Sequence, residues 1–314
     1  MRFVLKLAVS LALLAWLLLR NDLSQIFVSI RGIPAATIAA VFTILVVEVG
    51  IASLRWWLFV PTQSLLRICK LTLIGIFYSV VLTGQVAGEA VKAYRLGAGR
   101  PDAEAVAASV LIDKVNGLIG LLLLGLLGAF LSRLEFPKAL WLSFSVALAL
   151  GLAGLYAIRL PLLQRGIAEA SQQLGRRWQR WNALAERLAL FLAAWTRYAV
   201  RPWLMLASIG LGMLYNLLAI AVIAILAPRF GIAIPMTEWL WIFAVVSLAV
   251  LVPLSVGGLG IREGAFVAVL GLLKVPSESA LALSLTIFAT QLATALFGGL
   301  LETASFRERR RQPR

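Results

Sequence analysis

The stretch P-L-S-V-G-G-L-G-I-R-E-G-A-F, residues 253–266, sets a proline, four glycines and the adjacent Arg262 and Glu263 between two apolar runs. In hydrocarbon, non-helical backbone is tolerated only where it is buried in protein or lines a wet cavity. Pro253 lacks an N–H and clashes with the preceding turn, so it ends a helix. Gly257, Gly258 and Gly260 permit a tight reversal and close backbone approach. A new helix starts near Ile261. Its free N–H groups and positive dipole end point into the membrane interior, which makes an anion site. Arg262 adds a planar fork of donors suited to phosphate. Glu263 falls in the first helical turn, where a carboxylate is favoured and can pair with a neighbouring cation.

The rest of the chain supports a membrane setting. It is 61% hydrophobic and 14% charged over 314 residues, whereas soluble domains run at roughly half apolar and about a quarter charged. Its apolar runs are continuous, which argues for helices over the alternating strands of a barrel. There is no His, and Cys69 is the single cysteine. That argues against a disulfide framework and a zinc site, and no cofactor is implied. No nucleophile–base pair or metal set marks an intramembrane enzyme. The net charge of +15 reads as topology and anionic-lipid contact rather than nucleic-acid binding. The N-terminal apolar run ends in R-N-D-L without a small-residue cleavage site, so it reads as a retained first span.

Helices are predicted at Val4–Leu19, Ala35–Val60, Leu71–Leu82, Ala103–Phe130, Leu140–Ile158, Leu204–Leu226, Trp239–Val252, Ile261–Leu273 and Ala280–Ala304. Leu71–Leu82, Trp239–Val252 and Ile261–Leu273 are too short to cross a core of about 30 Å at about 1.5 Å per residue. Eight arginines fall within 159–201 and five more follow Phe306, which puts both regions in the cytoplasm. A re-entrant hairpin over 71–97, opening to the cytoplasm, then keeps Arg67, Lys70, Lys92, Arg95 and Arg100 on the inner side. A hairpin over 239–273 opens to the exterior.

The expected fold is an all-α polytopic membrane protein. It is an inverted repeat of two units, 1–133 and 139–304, each three spans plus a re-entrant helical hairpin, with both termini in the cytoplasm. The simpler alternative is nine ordinary spans with short loops. Within 159–202 lies a basic amphipathic segment in which Ile167, Leu174, Trp181, Leu188 and Trp195 recur every seven residues. It lies either on the inner leaflet or against the protein's own cytoplasmic ends.

The first hairpin repeats the chemistry of the second. Thr83, Gly84 and Gly88 are expected to break the chain, and Glu89 to open the next helix. Lys92, three residues on, shares its face. Glu48, Arg55, Asp113 and Lys114 fall inside spans. Charges there cost several kcal/mol unless paired or wet, so each is a candidate site residue or a helix-packing partner. Arg55 and Lys114 can also snorkel to the interface. Tyr215, Asn216 and Gln291 are weaker polar candidates.

Four stretches carry a resemblance. Residues 253–266 are similar to a signature of the transmembrane region of lysylphosphatidylglycerol synthases and their stand-alone relatives. G-E-A-V-K-A-Y-R-L, 88–96, resembles the family's G-[DE]-x-x-R-x-Y pattern, with Lys92 in place of Arg. L-I-D-K-V-N-G-L and L-R-W-W-L-F resemble its fourth-span acid–base pattern and the Arg that closes its second span. The resemblance implies a lipid flippase module. The soluble aminoacyltransferase domain of the fused synthases is missing from these residues, so lipid aminoacylation is not implied.

The leading expectation is a translocase of the cytoplasmic membrane acting on an anionic lipid. Its substrate site is expected at Arg262, Lys92, Arg55, Lys114, Gly88, Gly257, Gly258 and Gly260, with Glu89, Glu263, Glu48 and Asp113 balancing charge or carrying protons. A secondary transporter for a small soluble anion is the alternative, as is a non-transporting partner of a lipid synthase or glycosyltransferase. The sequence leaves the oligomeric state open.

Overall fold

The structure is a computed structural model. It describes residues 13–19, 21, 23–82, 85–132, 138–157, 160, 166, 169, 182–251, 255 and 257–311. Among the described residues the secondary structure is helical, with no strand. Ahead of the main bundle, 13–19 is helical, followed by α1 (Leu23–Arg31). The bundle then runs α2 (Ala35–Trp57), α3 (Leu65–Val81), α4 (Gln85–Gly97), α5 (Ala103–Leu131), α6 (Lys138–Tyr156), α7 (Asn182–Ala199), α8 (Pro202–Leu226), α9 (Met236–Leu251), α10 (Ile261–Leu272) and α11 (Ser277–Arg311).

Four of these segments are long and apolar enough to cross a membrane: Ala35–Trp57, Ala103–Leu131, Pro202–Phe230 and Ser277–Ala304. The third includes a 3₁₀ turn, Ala227–Phe230, that extends α8. Between the first two lies the helical pair α3 and α4, of 17 and 13 residues. Between the last two lies the pair α9 and α10, of 16 and 12 residues. At about 1.5 Å per residue, none of the four spans a core of about 30 Å. The outward faces are hydrocarbon: Ile38, Phe42, Val46 and Val47 on α2 and Leu296, Phe297 and Leu300 on α11 are exposed. Lipid rather than water is their solvent, so this exposure carries no hydrophobic penalty.

Close helix approach depends on glycine along α5. A Cβ on Gly120 would lie 2.8 Å from the Met213 nitrogen on α8, and one on Gly128 2.8 Å from the Trp241 nitrogen on α9. Small residues of this kind let transmembrane backbones touch. The largest core cluster joins α5, α8, α9, α10 and α11 through Leu122, Ile223, Trp239, Phe266, Leu270 and Leu283. A smaller one sets Trp56 against Ile68, Leu71, Leu96 and Val106.

Several expected boundaries change. The helix expected at Leu71–Leu82 begins at Leu65, where the Ser64 hydroxyl accepts the Arg67 N–H at 3.3 Å. Arg67 and Lys70 lower the hydropathy of the first turns and hide the start. Glu89 does not open α4, which begins at Gln85, so Glu89 sits in its second turn. Gly88 does not break the chain either, since it is helical and buried. Thr83, Gly84 and Pro253 lie outside the described residues. So do most of Val4–Leu19 and, in the heptad segment, Ile167, Leu174 and Trp181. Its described end, α7, packs inward at Trp195, which donates Nε1–H to the Leu155 carbonyl at 3.1 Å. Leu184 and Leu188 of α7 face outward.

Candidate functional site

The glycine turn of the second hairpin has the backbone its sequence requires. Gly257, Gly258 and Gly260 have φ of 60°, 79° and 83°, a left-handed region that side chains with a Cβ rarely adopt. A Cβ on Gly257 would lie 3.3 Å from the Val80 carbonyl oxygen, so this turn abuts the last residues of α3. The glycine turn therefore meets the C-terminal end of α3. On the first hairpin, a Cβ on Gly88 would collide with Ser79 Oγ and the Gly75 carbonyl. Gly88 thus serves the packing of α4 on α3.

Beside the glycine turn lies a cavity of about 440 Å³. Its lining gathers Glu48, Arg55, Glu89, Lys92, Asp113, Lys114, Gly257, Gly258 and Arg262, from four helices and the glycine turn. Tyr215, Asn216 and Gln291 also line it. Four cations face three carboxylates, which leaves one net positive charge when all are ionised.

Two ion pairs organise this wall. Arg55 Nε and Nη2 donate to the two oxygens of Asp113 at 2.6 and 3.1 Å. This bidentate bond ties α2 to α5. Gly117 leaves the room: a Cβ there would lie 3.0 Å from Arg55 Cζ. Lys92 Nζ lies 2.6 Å from Glu89 Oε2 on the same face of α4 and 4.9 Å over the Trp56 ring. Lys114 lies in the field of Glu89, Lys92, Arg55 and Asp113.

Arg262 is 7% exposed. It donates Nη2–H to the Gly257 carbonyl at 3.2 Å, and its guanidinium stands 5.3 Å over the Phe288 ring. Nη1 is buried without a hydrogen-bond partner. Such a donor is costly when empty and available to a ligand oxygen. Glu48 is the acidic counterpart: it is 8% exposed, with a buried Oε1 that has no partner.

Glu263 does not join the cavity lining. Its Oε2 accepts the Gly260 N–H at 2.6 Å, and Oε1 faces the Ser284 hydroxyl at 3.4 Å. The first-turn carboxylate thus fastens the start of α10 onto α11, while its neighbour Arg262 turns to the cavity. Gly260 and Gly88 shape the backbone without lining the cavity.

Sequence reasoning missed several polar groups. Thr72 and Ser255 line the cavity with buried, unpartnered hydroxyls. Thr290 and Thr294 line it beside Gln291, and the pattern T-Q-x-x-T within an apolar span was the available signal. Glu302 was also missed. Buried near the end of the apolar part of α11, it accepts the Tyr78 hydroxyl at 2.8 Å and pairs with Arg95, which fastens α11 to both helices of the first hairpin. Among the described residues there is no cluster of His, Cys, Asp and Glu able to hold a metal ion.

The searches of curated proteins and of solved structures gave no match. A family model does match, described as the lysylphosphatidylglycerol synthase TM region, over residues 3–299. The matched residues include both hairpins and every ionisable group of the cavity, and the chain belongs to the lysylphosphatidylglycerol synthase TM-region family.

Proposed function

We propose that this multi-pass membrane protein is a translocase that moves an anionic phospholipid between leaflets of the cytoplasmic membrane, with no catalytic chemistry of its own. The observation that carries this reading is a cation-lined cavity that reaches a lipid-facing surface. Gln291, midway along Ser277–Ala304, lines the cavity and is exposed, next to exposed Leu292 and near exposed Leu296. A polar side chain at that depth is costly in hydrocarbon unless a headgroup or water meets it. In this reading the phosphate enters past Gln291 and binds Arg262 Nη1, with Lys92, Lys114 and the N-terminus of α10 supplying further positive potential.

The architecture fits an inverted repeat: α2, the α3–α4 pair and α5 correspond to α8, the α9–α10 pair and α11. In that scheme both termini and the basic segment 159–202 lie in the cytoplasm, and one unit moves against the other around the shared cavity.

The test is flipping of fluorescent lipids in proteoliposomes, with phosphatidylglycerol, phosphatidic acid and phosphatidylcholine compared. Faster dithionite quenching of the anionic lipids than of phosphatidylcholine supports the reading. Equal rates for all three, or rates equal to protein-free liposomes, refute it. A transporter for a soluble phosphate compound is the second reading. It is favoured by a volume of about 440 Å³, which holds a headgroup without its acyl chains, and uptake of radiolabelled phosphate distinguishes it.

A further inference from the structure

Six of the seven charged side chains around the cavity fall into two kinds, Lys114 being the seventh. Arg55 with Asp113, and Lys92 with Glu89, are closed pairs. Protonating Asp113 or Glu89 would strand a buried cation. Glu48 and Arg262 differ in having no ionic partner: each is at least nine-tenths buried, each lines the cavity, and each has a polar atom without a hydrogen-bond partner, whereas Glu89 Oε2, which also accepts no hydrogen bond, lies against Lys92 Nζ. Neither forms an ion pair among the described residues.

The surroundings of Glu48 can be taken helix by helix. Its own helix α2 contributes Arg55 to the lining. From α4 come Glu89 and Lys92, from α5 Asp113 and Lys114, from α8 Tyr215, and from α10 Arg262. The lining residues of α3, α9 and α11 are not ionisable. Of these groups, the cations Arg55 and Lys92 are already engaged by other carboxylates.

An unpaired carboxylate in a poorly solvated site is costly when ionised, and protonation removes that cost. An anion bound at Arg262 adds negative charge to the same enclosed volume, where charges interact far more strongly than in water. It therefore favours the protonated form of Glu48. The coupling is reciprocal, so a proton on Glu48 favours anion binding to the same extent.

We propose that Glu48 is the proton site of this cavity, taking up one proton when a phosphate-bearing anion binds and releasing it when the anion leaves, so that the two cross the membrane together. One O–H bond forms at the Glu48 carboxylate with a proton drawn from water, and no bond of the anion changes. The binding linkage depends on the cavity alone. The joint crossing rests on the transport reading above.

The experiment is calorimetry on the full chain in detergent, titrated with dihexanoyl-phosphatidylglycerol or with inorganic phosphate. Each titration is run in two buffers of different ionisation enthalpy, which yields the protons taken up per anion bound. Wild type is expected to take up close to one proton with whichever anion binds. Its affinity should tighten as pH falls, by up to about tenfold per pH unit for one linked proton. Glu48→Gln should bind dihexanoyl-phosphatidylglycerol, whose phosphodiester does not titrate near neutral pH, with affinity flat in pH and no uptake. With inorganic phosphate, which titrates there itself, it should take up one proton fewer than wild type. Glu48→Asp should retain the wild-type uptake. Wild-type binding without proton uptake, or undiminished uptake in Glu48→Gln, overturns the assignment. No binding of either anion overturns both this inference and the transport reading. Proton-linked binding by a protein that fails to flip lipid in liposomes removes the lipid reading and leaves Glu48 standing. The choice between the two anions identifies the source of the phosphate.

Discussion

Gly88→Ala tests how tightly the first hairpin is closed. A methyl group there meets Ser79 Oγ and the Gly75 carbonyl, and the second of these is backbone that no rotamer change can clear. α3 and α4 must separate by about 1 Å to regain ordinary contact near 3.5 Å. Overpacking of this kind costs about 1–3 kcal/mol. Gly298→Ala belongs to the same class, because its Cβ would meet the Leu73 carbonyl carbon at 2.7 Å. Gly75→Ala is milder, since its Cβ would lie 2.9 Å from Lys92 Cγ and Cδ, atoms of a flexible chain that can yield, and 3.3 Å from the Gly88 carbonyl oxygen, which needs to shift by only a few tenths of an ångström. It should fold near normally and weaken anion binding by displacing Lys92. Gly210, within α8, has nothing within 4 Å of its built Cβ. Gly210→Ala should stabilise by about 0.5–1 kcal/mol through helix propensity. Apparent melting in detergent, read by size-exclusion chromatography of heated samples, should rank Gly210→Ala at or above wild type, with Gly88→Ala and Gly298→Ala well below. Gly88→Ala melting with wild type would refute the close approach of α3 and α4.

Arg262→Ala should abolish anion binding and lipid movement while the protein stays monodisperse, and Arg262→Lys should restore them only in part, since a lysine lacks the planar fork; a normal flipping rate in Arg262→Ala would make the residue structural. Arg55→Ala leaves Asp113 buried without its partner and should cost about 3–5 kcal/mol. The double variant Arg55→Leu with Asp113→Leu should melt above either Ala single, and failure to do so would show that the pair is not the fastening between α2 and α5. Single cysteines at Arg201 and Leu82, in a Cys69→Ala background, test topology with a membrane-impermeant thiol reagent. Arg201 should label only from the cytoplasmic side and Leu82 from neither, and labelling of Leu82 from outside would turn α3 into a complete span.

The parts of the site that were legible in the sequence were charges in apolar runs. Glu48, Arg55, Asp113, Lys114, Lys92 and Arg262 could be picked out because hydrocarbon makes each of them costly, and all six line one cavity. What the sequence could not separate was the division of labour between neighbours. Arg262 and Glu263 are adjacent, but successive helical residues point about 100° apart. One therefore enters the cavity while the other turns back on the Gly260 N–H. A glycine between apolar runs, such as Gly88, signals either a turn or a close contact, and only the packed partner decides between them. The start of α3 was hidden for a related reason: a half-helix that begins at the interface carries Arg67 and Lys70 in its first turns, so hydropathy marks the wrong end. Glu302 was invisible because its meaning lies in Arg95 and Tyr78, which are remote in sequence.

The two closed ion pairs have a consequence for how the protein is made. Arg55 with Asp113 and Glu89 with Lys92 both form within the first 113 residues, whereas Tyr215, Arg262 and Gln291 complete the cavity wall much later in the chain. At about 5–20 residues per second, the early helices wait on the order of ten seconds for that wall. Over this interval their charges face lipid or the insertion machinery, and the Glu89–Lys92 pair neutralises α4 from within while Arg55 and Asp113 neutralise each other once α5 joins α2. Glu48 has no such companion in the early half. It can enter the bilayer in the uncharged acid form, and it becomes part of a cavity wall when the second half arrives.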